Sequence, residues 1–109
     1  MAYDEKLAAR ISAVTKRWPG CTTKKLFGGV GWLLNGNLCV GVAKDSLVVR
    51  CEPADAAALL AKQHARAFKP AGRAMKGWLL IEPKDLATPA ALTGWLALAR
   101  DYVRTLPPK

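Results

Sequence analysis

Apolar residues return at helical spacing at the start of the chain. Leu7, Ile11, Val14 and Trp18 fall on one stripe, widened by Ala8, while Lys6, Arg10, Lys16 and Arg17 lie mostly off it. This pattern predicts a helix over residues 4–17, with Asp4 and Glu5 in its first turn and Lys16 and Arg17 in its last, matching the helix dipole. Trp18-Pro19-Gly20 ends it, because a residue before proline is pushed out of the α region.

The period then changes. Runs rich in Val, Leu, Trp and Phe, broken by glycine, predict three strands at about 24–34, 37–43 and 47–52. Asn35-Gly36 joins the first two, since an Asn-Gly pair supplies the two positive φ angles of a type I′ hairpin turn. Lys44-Asp45-Ser46 joins the next two, and a symmetric closure there sets Cys39 opposite Cys51. Alternation puts Trp32, Val30 and Val49 on one face and Leu33, Val40 and Val42 on the other, so the meander is apolar on both sides and needs a second cover.

Pro53 suits a first helical turn, and residues 54–63 are strong helix formers with Asp55 early and Lys62 late. Residues 65–74 read as a basic connection anchored by Phe68, and residues 75–82 as a further strand ended by Pro83. Thr88-Pro89 is a helix start, with Thr at the N-cap and Pro after it. Leu92, Leu96, Ala99 and Val103, flanked by Trp95 and Tyr102, form the buried stripe of a last helix reaching about Thr105. The order α-β-β-β-α-β-(β)-α describes one α+β domain over residues 1–109: an antiparallel three-stranded meander plus one or two further strands, with flanking helices.

Charge changes this picture most. Seventeen Lys and Arg against eight Asp and Glu give a net +9. No acid lies between Glu5 and Asp45, or between Asp55 and Glu82, although cations are frequent in both intervals. Such a surface attracts nucleic acid phosphates or anionic partners, and it also keeps a small protein soluble. No apolar run approaches the ~18 residues of a membrane span, and the N-terminus lacks the basic and apolar regions of a signal peptide. The expectation is a cytoplasmic protein without membrane contact.

Little in the sequence carries reaction chemistry. Cys21, Cys39 and Cys51 are odd in number and lack CxxC spacing, so packing explains them better than disulfides or a metal. His64 is the single histidine and follows a helix end that favours cations. Gly28-Gly29-Val30-Gly31 fits neither GxxxxGK[ST] nor GxGxxG and is followed by strand, so it lacks the helix N-terminus a phosphate cradle uses. Asp45, Asp55, Glu82 and Asp85 suit turns and helix starts. No catalytic residue, cofactor or metal is expected. The alternative from another class is a small enzyme or redox protein using Cys39, Cys51 or His64.

The candidate surface lies where cations and aromatics meet. Lys24 and Lys25 border the strand of Trp32, and Arg73 and Lys76 border the strand of Trp78. Were those strands neighbours, a cationic rim would flank an aromatic surface, the pairing that holds nucleic acid backbone and bases; the other reading, favoured for the tryptophans and left open for the lysines, is that the rings are core and the lysines blunt strand ends. With Phe27, Gly28 and Gly29, these residues make the binding surface expected here: Lys24, Lys25, Phe27, Gly28, Gly29, Arg73, Lys76 and Trp78.

The blocks Lys24-Lys25-Leu26-Phe27-Gly28-Gly29, Trp32, Asn35-Gly36-Asn37, Leu47-Val48-Val49-Arg50, Gly72-Arg73-Ala74-Met75-Lys76-Gly77-Trp78 and Leu106-Pro107 occur in an order that resembles the TfoX/Sxy N-terminal domain family. Leu26 stands where methionine is the commoner residue. The resemblance spans nearly the whole chain and leaves out the family's C-terminal helix-hairpin-helix-like domain, so the chain is similar to the stand-alone, one-domain members. It implies a secretion-chaperone-like fold, often dimeric, and a link to competence regulation, since two-domain relatives act on transcription with a cyclic-AMP receptor protein. It brings no catalytic residues. The partners it suggests are a second copy or another protein, with nucleic acid reached through the basic surface, and a dimeric chaperone-like peptide binder is the remaining alternative.

Overall fold

The computed structural model describes residues 3–26, 29–62, 65–69, 72 and 76–108. It is α+β, with three helices and a six-stranded antiparallel sheet of order β1-β2-β3-β4-β6-β5. Helix α1 (Glu5–Thr15) is capped by Asp4, whose carboxylate accepts from the backbone N–H groups of Lys6 and Leu7 at 2.9 and 3.1 Å. Its inward face is Leu7, Ile11 and Thr15, four apart each time.

Residues 24–34, expected as one strand, divide between two: β1 (Cys21–Leu26) and β2 (Gly29–Leu34) pair antiparallel from Cys21↔Leu34 to Leu26↔Gly29. Phe27 and Gly28, between them, lie outside the described residues. Length is the physical reason. The other described strands run seven residues or fewer, so a single eleven-residue strand would leave part of its backbone without a partner, and doubling back pairs its two halves.

Strand β3 (Asn37–Ala43) follows a turn in which Asn35 and Gly36 have φ of 53° and 84°, the type I′ geometry that the Asn-Gly pair predicts. Strand β4 (Ser46–Arg50) follows a two-residue turn, with Ala43 pairing Ser46 and Lys44 at φ 57°.

Two register features correct the sequence reading. Trp32 pairs Val40 but Leu33 pairs Leu38, so Cys39 is the extra residue of a β-bulge. The bulge shifts the ladder by one place and returns Val40 and Val42 to the face of Val30, Trp32 and Val49. The large apolar residues therefore gather on one side instead of two. The turn after β3 holds two residues, not three, so the ladder Ala43↔Ser46 to Val40↔Val49, continued, sets Cys39 against Arg50. The expected Cys39–Cys51 pairing is not formed.

Helix α2 (Pro53–Ala61) leads to the two-residue edge strand β5 (Arg66–Ala67), and β6 (Trp78–Ile81) then inserts between β5 and β4. A short 3₁₀ turn at Pro83–Leu86 precedes α3 (Pro89–Val103), capped by the Thr88 hydroxyl. Leu92, Leu96, Ala99 and Val103 of α3 pack over β3 and β4, with α1 alongside, closing a core that includes Ile11, Trp32, Val40, Leu47, Val49, Leu79 and Ile81. Asn37 is buried and donates its side-chain amide to the Pro107 carbonyl at 2.9 Å, tying the segment after α3 to the first hairpin.

The second face of the sheet is flatter. Gly31 and Gly41 stand opposite each other there, beside Val48. Phe68, only 6% exposed, lies with them around a gap of about 20 Å³, so this one ring, directly after β5, supplies cover on this side.

Candidate binding surface

β1 is one edge of the sheet, and Thr22, Thr23, Lys24 and Lys25 are all exposed on it. Lys24 pairs Gly31 and Lys25 pairs Val30, so the adjacent ammonium groups project from opposite faces. Gly29 is buried beside Leu26.

Lys76 and Trp78 sit elsewhere. β6 is four strand positions from β1, about 19 Å at ordinary inter-strand spacing. The expected single rim of Lys24, Lys25, Arg73 and Lys76 therefore does not form from the residues the structure describes; Arg73 lies outside them. Trp32, at 2% exposure, is core and presents no stacking surface. Trp78 is half-buried, with the Arg50 guanidinium 5.5 Å from its ring centroid and the Phe68 ring 6.2 Å away. That arrangement depends on β4 lying beside β6, with Arg50 opposite Trp78. No local pattern in the sequence reveals it.

Two recesses flank Leu60, which at 36% exposure is the exposed large hydrophobic residue among those described. One, about 300 Å³ and mainly apolar, is lined by Pro53, Ala56, Ala57, Leu60, Ala67, Gly77 and Trp78, with Lys76 as its cation. The other, about 330 Å³ and polar, carries Arg66, Glu82, Lys84 and Asp85. Arg66 and Glu82 form an ion pair at 2.7 Å across it, and hydrogen bonding to the guanidinium holds the Glu82 carboxyl below its ordinary range.

The thiols are poorly placed for nucleophilic work. Burial pushes Cys39 up to about 12, with the nearby Cys21 thiol adding to the effect and Arg50 and Arg100 opposing it. Cys51 is pushed up to about 11 by burial, with Asp55 and Glu52 behind it. Cys21 is raised by burial and eased by a hydrogen bond to Thr15. Thiolates, the reactive form, are therefore scarce at neutral pH. His64 lies outside the described residues. Among the described residues no group of three or more His, Cys, Asp or Glu could hold a metal ion. No described helix is long and apolar enough to cross a membrane.

Sheet, recesses and exposed cations together define an α+β domain with one helix-covered sheet face, a short edge at β5 and a longer basic edge at β1. The chain belongs to the TfoX N-terminal domain family, whose family model matches residues 13–102. No curated protein and no solved structure gave a match.

Proposed function

We propose that this domain works by non-covalent contact, without catalysis, in transcriptional regulation of the kind its family resemblance implies, and that it does so in the cytoplasm. Membership of the TfoX N-terminal domain family carries this reading. The surface supports it, since the exposed cations Lys24, Lys25 and Lys76 suit anionic partners. The buried, poorly ionised thiols weigh against the enzymatic alternative built on Cys39 or Cys51.

The test is capture of partners by the tagged protein at low and moderate salt, with nuclease treatment in parallel. Retention of a defined protein that survives nuclease supports the proposal. Loss of everything on nuclease treatment would move the function to nucleic acid, where each neutralised phosphate adds about −0.9 to the slope of log K against log salt. A fast-reacting thiol in the native protein would restore the enzymatic reading.

A further inference from the structure

We infer that the outer edge of β1 is a strand-addition site for an extended, acidic segment of a protein partner. This rests on the contact-based reading above and names the surface and the partner chemistry.

The two edges of the sheet differ. β5 is two residues long, and its Arg66 is tied to Glu82 at 2.7 Å, so that edge is short and blunted. β1 runs Cys-Thr-Thr-Lys-Lys-Leu, six residues without proline, glycine or a bulge. It spans about 20 Å, and it has no strand beyond it among the described residues. Thr22 and Lys24 on one face and Thr23 and Lys25 on the other are exposed; the Cys21 N–H already donates to the Trp18 carbonyl at 3.3 Å, so the edge open to an added strand is the part after Cys21, where Thr23 and Lys25 present their backbone groups outward. An edge of this length offers a row of backbone donors and acceptors to an incoming strand.

Charge selects the occupant. The helix-to-sheet segment from residue 6 to residue 44, which includes all of β1, β2 and β3, contains no carboxylate. Lys24 and Lys25 therefore have no anion on their own or the two neighbouring strands, and an added strand with Glu or Asp at two adjacent positions places one carboxylate on each face, one beside each lysine. A second copy fits less well. Antiparallel self-pairing matches the outward-facing Cys21, Thr23 and Lys25 of the two copies; centred on Thr23, it sets Lys24 diagonally against the other copy's Lys24, at roughly 7 Å, between molecules that each carry +9.

The test uses the whole protein and the synthetic peptide Thr-Val-Val-Glu-Glu-Val-Thr, read by amide hydrogen exchange. The peptide is expected to slow exchange of the β1 amides that do not bond to β2, and alternate N-methylation of its backbone is expected to weaken binding about tenfold or more. Lys24→Glu/Lys25→Glu is expected to abolish binding of the acidic peptide with an unchanged thermal melt, whereas Lys24→Ala/Lys25→Ala weakens it and keeps the site at β1. The inference falls if the peptide leaves β1 exchange untouched, or if the N-methylated peptide binds equally well, which would mean charge attraction alone. It also falls if β1 is already protected in a concentration-dependent dimer, which would make a second copy the occupant. A captured partner that stays on the Lys24→Glu/Lys25→Glu variant removes this edge and leaves the contact-based function standing; capture of nothing by the unmodified protein removes that function instead.

Discussion

At the residue scale, burial decides what each side chain can do. Trp32 fills the core between the sheet and its helices, so Trp32→Ala is expected to cost about 3–5 kcal/mol, the range for emptying a buried aromatic site; chemical denaturation measures it. The thiols give a pH signature. Cys39 and Cys51 are pushed up to about 12 and about 11 in the folded protein, against an ordinary value of about 8.5 in an unfolded chain. The folded state therefore keeps its thiol protons longer, so their contribution is complete below about pH 8.5 and is lost as pH rises through 11 and 12. Lysines and tyrosines titrate in the same range, so the comparison is with Cys39→Ala/Cys51→Ala. Stability of the unmodified protein should fall more steeply than that of the variant above pH 9 in pH-dependent melts. At neutral pH both buried thiols should resist a chromogenic disulfide reagent until the protein unfolds, and Cys21, half-buried, should react first.

At the scale of elements, caps and turns hold the strands and helices in place. Asp4→Ala removes two hydrogen bonds from the start of α1 and is expected to cost about 1 kcal/mol, read from the urea midpoint. Gly77 marks a tighter constraint. It has φ of 82°, its carbonyl accepts from the Cys51 N–H at 2.7 Å, and an added Cβ would stand 3.0 Å from the Cys51 carbonyl oxygen. Gly77→Ala therefore forces a left-handed alanine against backbone, and a loss of about 1–2 kcal/mol or more follows from the conformation alone. The same substitution would disturb the junction of β4, α2 and β6, so narrowing of the recess beside Lys76 and Trp78 should accompany it in chemical shifts.

At the scale of the whole molecule, one core serves every element. The central strands β3 and β4 lie under α3, while β1 and β5 are edges. Amide exchange should therefore be slowest at Val40, Val49 and Leu96 and fastest along β5 and the outer side of β1, within a single cooperative unfolding transition. Fast exchange at Val40 and Val49 would contradict this layout.

The helices, the Asn35-Gly36 hairpin and the α+β class were legible in the sequence. Helical period, capping residues and positive-φ turn residues act over a few neighbouring positions, so local residue types determine them. Lys24, Lys25, Lys76 and Trp78 were recognisable as surface chemistry for the same reason: their residue types announce it. Only the tertiary structure decided which of them share a surface. Val49 pairs with Leu79, thirty positions later, and β6 enters between β4 and β5. That order follows from burying both faces of distant strands at once, which no short window contains. The bulge at Cys39 is equally non-local, because a one-residue shift is favoured only when it brings Val40 and Val42 beneath α3. The dibasic pair on β1 thus belongs to an edge strand of the described sheet, and Trp78 belongs to a recess four strand positions away.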